Sequence, residues 1–195
     1  AGNLIYVVGN TRDELGASHY YDLYDAVGNQ VPKVYHQEAK NSFIALSRAA
    51  EKSLVKSIHD CSDGGLAVAM AEMAFSGGLG MEIFLSGVPY KSTKKKNEPV
   101  LFSESNSRFV VEVEKRKQKE FERQLKGCPF NLVGCLKPKK EFVVYGLDNK
   151  VCISVDIDSL KSSWQKPLKW EGGIIKMVKK KICSNGILER EDFTR

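Results

Sequence analysis

The order in which strand-like and helix-like segments follow one another is the strongest constraint on how this chain folds. The two kinds of segment alternate in the first half of the chain, and strand-like segments cluster in the second half. Such an order favours a mixed β-sheet with helices packed against it. The sequence alone therefore predicts an α+β or α/β sandwich.

Individual elements follow from local patterns. Leu4–Val8 is an unbroken apolar run, which predicts a buried strand. Asn41 or Ser42 can cap a helix with apolar residues recurring on one face, namely Phe43, Leu46, Ala50 and Leu54. A second helix is predicted over 65–76, ended by Gly77 and Gly78. Further strands are predicted at 54–58, 81–85, 108–113, 131–133, 142–145 and 151–155, helices at 115–126 and 157–164, and a loop over 86–99.

Composition excludes several classes of protein. The 195 residues are 42% hydrophobic and 28% charged, which is unlike a disordered or collagenous chain. No apolar run reaches the roughly 20 residues that a membrane helix needs, so no membrane partner is expected. The five cysteines contain no CxxC pair, which argues against a disulfide framework and a zinc site. They suit a reducing compartment, and we expect a cytoplasmic protein.

The chain is basic, with 30 Lys and Arg against 24 Asp and Glu. Much of the excess lies in three lysine runs, at 94–96, 137–140 and 179–181. Such runs can contact the phosphates of nucleic acid, but no aromatic residues alternate with these lysines. Solvated loops are the simpler explanation, and no nucleic-acid partner is predicted.

The segment Ser57–Leu66 lies between a predicted strand and a predicted helix, a junction at which α/β folds bind ligands. Gly64 and Gly65 allow close approach of the backbone to a ligand, and a helix start favours phosphate. Asp60 and Asp63 would repel phosphate unless a cation such as Mg²⁺ lay between. Alternatively, Asp63 only caps the helix and the glycines only turn the chain.

A second polar segment covers Leu101–Arg108, with the sequence LFSESNSR. Its Ser, Asn and Arg side chains supply donors for phosphate or sugar oxygens, and Glu104 is a hard oxygen ligand for Mg²⁺. A plain polar turn is the alternative. The histidines are weaker signals. His59 could orient Asp60, although a structural hydrogen bond is the simpler explanation, and His19 and His36 have no partner at ligand spacing.

Three motifs occur in order along the chain: TRDELGAS at 11–18, HDCSDGGLAVA at 59–69 and LFSESNSRF at 101–109. Together they resemble the synthetase subunit of phosphoribosylformylglycinamidine synthase, over roughly residues 2–160. The wider superfamily includes aminoimidazole ribonucleotide synthetase, selenophosphate synthetase, thiamine-monophosphate kinase and a hydrogenase maturation protein. Those relatives share the aspartate–glycine loop before a helix. The TRDELG opening combined with LFSESNSR is typical of the first family.

The resemblance implies a fold and a domain arrangement. Proteins of this family carry two copies of an A domain followed by a B domain, and this chain would be the last B domain. Its expected architecture is an α+β fold, a three-layer α/β/α sandwich with a mixed sheet. We predict that the B-type domain spans 1–165 and that 166–195 is a basic tail, packed on the surface or partly extended. A start without Met, already near a strand-like run, also suggests a piece of a longer protein.

The resemblance also implies an activity, that of an ATP-dependent carbon–nitrogen ligase with glutamine as amide donor. The family converts formylglycinamide ribonucleotide and glutamine-derived ammonia to formylglycinamidine ribonucleotide in purine biosynthesis, with ATP and Mg²⁺ as cofactors. The implied partners are the A-type and B-type domains of the same parent chain, a glutaminase subunit and a small accessory subunit. The domain alone is expected to be inactive.

Residue roles carry over by position. Asp60 and Ser103 would bind ATP, Glu104 and Asp63 would hold the metal, Asn106 and Ser107 would face the ribonucleotide, and Gly64 and Gly65 would form a phosphate loop. The family's catalytic histidines lie in an N-terminal half. No catalytic residue is therefore predicted among His19, His36 and His59.

Three other functions stay open from the sequence. The chain could belong to another ATP-dependent enzyme of the superfamily, such as a kinase or a selenophosphate synthetase. The latter would carry a reactive cysteine or selenocysteine in a glycine-rich N-terminal segment. The chain could also be a non-catalytic module that binds nucleotide or docks partner subunits. An RNA-binding domain is supported only by the lysine runs.

Overall fold

A seven-stranded mixed sheet lies at the centre of the fold, in the order β2-β4-β1-β5-β3-β6-β7. The computed structural model describes residues 1–92 and 95–168. The strands are β1 (Leu4–Val8), β2 (Ser57–Asp60), β3 (Gly80–Phe84), β4 (Phe109–Val113), β5 (Phe130–Lys137), β6 (Glu141–Tyr145) and β7 (Val151–Asp156). The α-helices are α1 (His19–Asp22), α2 (His36–Glu51), α3 (Gly65–Gly77), α4 (Asn97–Phe102), α5 (Gln118–Gln124) and α6 (Ile157–Gln165). Neighbouring strands are antiparallel except β3 and β6, which run parallel.

The strand β1 carries apolar side chains into the core on both of its faces. Ile5 and Val7 pack in a cluster with α3 and α4, whereas Leu4, Tyr6 and Val8 pack in a cluster with α2 and α5. Because successive side chains of a strand point to opposite faces, a strand that is apolar throughout needs cover on both sides. The described helices supply that cover. The predicted α+β fold with three layers around a mixed sheet is confirmed.

The helix α2 differs from its prediction. It begins at His36 rather than at Asn41, and Leu54 lies beyond its end. Its buried face consists mostly of small residues: Ala39, Ser42, Ala45, Leu46 and Ala49. Phe43 is 49% exposed and meets the ring of Phe109 edge-on at 5.7 Å. Of the predicted apolar face, Leu46 is buried, whereas Phe43 and Ala50 are exposed.

The helix α4 lies partly inside a segment predicted as a loop. Pro99 is the third residue of this helix. A proline is tolerated in the first turn because the N–H that it lacks would have no partner within the helix there. Pro99 is therefore compatible with a helix in this part of the predicted loop. In contrast, α3 follows its prediction closely: it ends at Gly77 and is capped by Gly78, whose φ of 65° lies in the left-handed region.

Residues Ala1–Lys161 form one compact unit. The predicted boundary between 165 and 166 stays a prediction, and most of the predicted tail, 169–195, lies outside the described residues. Over the described ranges, no helix is long and apolar enough to cross a membrane.

The lysines at 137–140 have acidic partners within the chain. Their ammonium groups pair, in order, with Glu82, Glu141 and Asp158. Lys95 of the first run donates to the carbonyl of Ser86 at 3.2 Å. These lysines therefore make intramolecular contacts, while the run at 179–181 lies outside the described residues.

Candidate functional site

Three polar loops meet beside the start of α3. We call them the opening loop (residues 9–18), the aspartate–glycine turn (60–65) and the serine loop (103–108). The N–H of Gly64 donates to Glu104 Oε1 at 2.9 Å, which joins the turn to the serine loop. This hydrogen bond brings two of the three sequence motifs into contact, although its two residues are 40 positions apart in the chain.

The aspartate–glycine turn depends on its two glycines. Gly64 and Gly65 have φ values of 76° and 67°, in the region that L side chains rarely adopt. A Cβ on Gly65 would lie 2.5 Å from the carbonyl oxygen of Ser103. The turn can therefore pack against the serine loop only because residue 65 has no side chain.

Asp60 ends β2 and presents its carboxylate to solvent, with 65% of the side chain exposed. The hydroxyl of Ser62 donates to Asp60 Oδ2 at 2.6 Å, and this bond holds the pKa of Asp60 below its ordinary value. Asp60 is thus ionised and open beside the turn. His59 instead contacts the Asp60 carbonyl at 2.6 Å and Glu72 at 2.9 Å. These are the structural contacts that its sequence position suggested.

Glu104 is the centre of a cluster of possible metal ligands. Its Oε1 accepts the N–H groups of Gly64 and His19, at 2.9 and 3.0 Å. The His19 ring nitrogen Nδ1 lies 3.4 Å from the same oxygen. One ligand atom each of His19, Asp63 and Glu104 lies within 4.8 Å of the other two. The expectation that His19 has no partner at ligand spacing is wrong, because its partner Glu104 is 85 positions away.

The buried residues of the serine loop hold it against the opening loop. Ser103 and Ser105 are fully buried. The hydroxyl of Ser103 accepts the N–H of Glu14 at 3.2 Å, and that of Ser105 accepts the N–H of Arg12 at 3.1 Å. The side chain of Ser103, predicted to bind ATP, is therefore engaged inside the protein.

Arg108 is also buried, with 1% of its surface exposed. It donates to Thr11 Oγ1 at 2.9 Å, to the carbonyl of Ser105 at 2.9 Å and to the carbonyl of Ser103. Burial lowers the pKa of Arg108, while the charge of Glu14 acts in the opposite direction. The guanidinium thus donates hydrogen bonds to three oxygens and links the opening loop to the serine loop. This structural role was not predicted from the position of Arg108 in the motif.

Asn106 and Ser107 lie on the other side of the serine loop, in a narrow cleft that Arg12 and Glu38 also line. Asn106 is exposed, and Ser107 has a φ of 61°. Arg12 lies 3.5 Å above the ring of Tyr35 and donates to Glu38 at 2.8 Å. The predicted substrate residues are therefore close to a fixed, basic side chain.

Glu38 is the most strongly paired carboxylate near this cleft. It accepts from Lys91 at 2.7 Å, and from Arg12 and Asn10 at 2.8 Å each. These bonds, led by that from Lys91, lower the pKa of Glu38 to about 2. Glu38 lies outside all three motifs, and no sequence pattern predicted its place here.

The structure thus separates the predicted site residues into two groups. Gly64, Asp63 and Glu104 come together at the start of α3, with Asp60 bound to the same turn through Ser62. The second group, Asn106 and Ser107, faces the cleft of Arg12 and Glu38.

A known family of domains matches most of the chain. Residues 1–146 match the family model described as "AIR synthase related protein, C-terminal domain". The chain belongs to this family of domains.

Particular relatives narrow the class further. The chain is similar to the "phosphoribosylformylglycinamidine synthase subunit PurL" of Thermococcus sibiricus, with 34% identity over 161 residues. The match covers 83% of this chain and 22% of that relative. The predicted resemblance is confirmed, and the chain spans less than a quarter of the length of this relative.

Solved structures show the same fold. Thermotoga maritima PurL complexed with FGAR has a TM-score of 0.74 at 20% identity, over 82% of this chain and 28% of that one. The same protein complexed with ATP has a TM-score of 0.63 at 22% identity, over 80% of this chain and 25% of that one.

Proposed function

We propose that this domain supplies nucleotide, metal and substrate contacts to an ATP-dependent ligase of purine biosynthesis. The reaction converts formylglycinamide ribonucleotide and glutamine-derived ammonia to formylglycinamidine ribonucleotide. The observation that carries the proposal is the meeting of Gly64, Asp63 and Glu104 at the start of α3. The structures of Thermotoga maritima PurL with ATP and with FGAR support the choice of ligands.

The carboxylates at the start of α3 make a metal ion necessary for phosphate binding there. Backbone amides and the helix dipole favour a phosphate there. However, Glu104 already accepts the Gly64 N–H, and Asp60 and Asp63 add further negative charge. A triphosphate can approach these carboxylates only with a cation between them, and oxygen ligands suit Mg²⁺. Bound Mg²⁺ would neutralise the charge of the transferring phosphoryl group.

Each predicted residue receives a role within this proposal. Asp60 contacts ATP and the pair Gly64–Gly65 forms the phosphate loop, while Asp63 and Glu104 hold Mg²⁺. Ser103 acts on the nucleotide site indirectly, since its hydroxyl positions the opening loop. Asn106 and Ser107 face the ribonucleotide. No residue of this domain is assigned a catalytic role.

The surface beside the site supports the proposed partners. Leu23, Tyr24 and Val27 follow α1 and are 80%, 67% and 72% exposed. Exposed apolar residues grouped along one segment are typical of a contact surface. We assign this surface to an A-type domain of the same parent chain, because the chain covers only 22% of its relative. A glutaminase subunit and a small accessory subunit complete the proposed assembly.

The substitution Glu104→Gln in the parent enzyme tests the metal role. Glutamine keeps the oxygen that accepts the Gly64 and His19 N–H groups but removes the charge. We expect amidine formation to fall about 10²- to 10³-fold, with partial recovery at higher Mg²⁺. Glu120→Gln, an exposed position on α5, is the matched control.

Activity of the Glu104→Gln enzyme within a few-fold of wild type, without response to Mg²⁺, would remove Glu104 from the site. The 195-residue chain alone should show no turnover with ATP, ammonium and the ribonucleotide. Turnover by this chain alone would show that the domain itself contains catalytic residues, contrary to the proposal.

A further inference from the structure

The cluster of His19, Asp63 and Glu104 has an unusual composition for a magnesium site. Its ligand atoms come from three segments and lie within 4.8 Å of one another. Ligand atoms of a tetrahedral ion bound at 2.0–2.2 Å are about 3.3–3.6 Å apart. The exposed side chains of His19 and Asp63 would therefore have to move inward, by up to about 1.5 Å, to surround an ion.

The geometry points to a mixed imidazole–carboxylate site in which His19 is a third ligand and which prefers a first-row divalent transition ion to Mg²⁺. This inference rests on the proposed function, since it extends the metal role of Asp63 and Glu104. Mg²⁺ favours oxygen ligands and retains its waters. Imidazole nitrogen instead favours ions such as Co²⁺, Ni²⁺ and Zn²⁺.

The two backbone N–H bonds to Glu104 Oε1 prepare its carboxylate for an ion. They fix the orientation of a side chain that is only 15% exposed, so Glu104 needs little further ordering to bind an ion. His19 is 66% exposed in its side chain, and Asp63 is exposed as well. An ion from solvent can therefore reach the exposed side chains of His19 and Asp63, while Glu104 is held by its hydrogen bonds.

The short helix α1 is held next to Glu104 by contacts outside the cluster. Ser18 caps this helix by accepting the N–H of Tyr21 at 3.3 Å. Tyr20 stacks on Phe102 of α4, with ring centroids 4.7 Å apart and planes 8° from parallel. Because Phe102 is two residues before Glu104, the stacking fixes His19 beside the serine loop.

Calorimetric titration of the 195-residue chain with Co²⁺ and with Mg²⁺, without nucleotide, tests the inference. We expect wild type to bind Co²⁺ at least tenfold more tightly than Mg²⁺. His19→Ala should lower the Co²⁺ affinity at least tenfold and change that for Mg²⁺ less than twofold. Asp63→Asn should weaken both ions. The matched control is His36→Ala, an exposed histidine at the start of α2.

All proteins in this titration, the reference chain included, carry Cys152→Ser, which removes an exposed thiol that could bind Co²⁺. Equal Co²⁺ affinity in wild type and His19→Ala would overturn the inference, as would equal losses for His19→Ala and His36→Ala. Either result would leave the Glu104→Gln test of the nucleotide site untouched, because that test reads turnover with Mg²⁺. Circular dichroism would confirm that each variant is folded.

Discussion

The serine loop contains side chains that are buried in the protein and side chains that face outward. Ser103, Ser105 and Arg108 are buried, and each bonds to the opening loop. Glu104 and Asn106 face outward, toward the metal cluster on one side and the Arg12 cleft on the other. One short motif thus contains two sets of residues, one that holds the loop and one that can meet ligands.

Membership of a motif therefore does not identify a ligand contact. The buried set already has its hydrogen-bond partners within the protein, so replacing its members should affect stability first. The outward set lies where a ligand can reach it, so replacing its members should affect binding first. Substitutions in each set can test this distinction.

Gly65→Ala should have the largest effect on stability, because the buried set packs against this glycine. The new Cβ would lie 2.5 Å from the Ser103 carbonyl oxygen at a φ of 67°. We expect the free energy of unfolding in denaturant to fall by more than about 3 kcal/mol.

Gly78→Ala is the matched control for this change. Gly78 has a φ of 65°, but a Cβ added there would meet no atom within 4 Å, so only backbone strain is added. That variant should lose about 1 kcal/mol. If both variants lose the same free energy of unfolding, the close packing of Gly65 on the serine loop contributes nothing to stability.

Arg108→Lys should have the next largest effect. A lysine ammonium lacks the fork that reaches Thr11, Ser103 and Ser105 together. Leaving buried oxygens without donors should lower the free energy of unfolding by about 2–3 kcal/mol. Arg116→Lys, at a side chain that is 78% exposed, should change it by less than about 0.5 kcal/mol. Thermal or urea unfolding measures both, and equal stability of the two variants would contradict the holding role.

Glu38→Gln should have a smaller effect that depends on pH. The pKa of Glu38 is lowered from 4.5 to about 2, so its stabilising effect is complete above pH 4.5 and is lost as pH falls toward 2. At neutral pH we expect the variant to lose about 1 kcal/mol, since solvent screens this partly exposed group. Below pH 2 the two proteins should be equally stable. Urea titrations would measure the difference in the free energy of unfolding between wild type and Glu38→Gln at each pH. If this difference is the same across the pH range, the effect of the substitution comes from packing rather than from charge.

The fold was largely predictable from the sequence because its strongest strand is unambiguous. Leu4–Val8 is apolar throughout and indeed fills both faces of the sheet core. The length of β5 was not predicted: the sequence indicated a strand only over 131–133, whereas β5 runs from Phe130 to Lys137. Gly134 lies inside the strand, where a Cβ would collide with the backbone of Glu82 on β3. Glycine here permits close strand contact rather than ending the strand.

The candidate site was predictable as segments but not as contacts. The spacing of HDCSDGG before an apolar helix indicated a ligand-binding turn, and the turn does meet the serine loop. No local pattern could link His19 to Glu104, because the link depends on the stacking of Tyr20 on Phe102. Likewise, the burial of Arg108 is a tertiary property that a polar motif conceals.

Asn106→Ala should have the smallest effect on stability and is therefore the most direct test of the outward set. Asn106 is exposed on the cleft that also contains Arg12, so its loss should change the free energy of unfolding by less than about 0.5 kcal/mol. If it donates one hydrogen bond to the ribonucleotide, the parent enzyme should bind this substrate about 2- to 10-fold more weakly. Asn41→Ala, exposed on α2 and bonded to Gln37, is the matched control and should leave this affinity unchanged. Unaltered ribonucleotide affinity of Asn106→Ala, measured by calorimetry, would show that exposure beside the cleft does not make this residue a ligand contact.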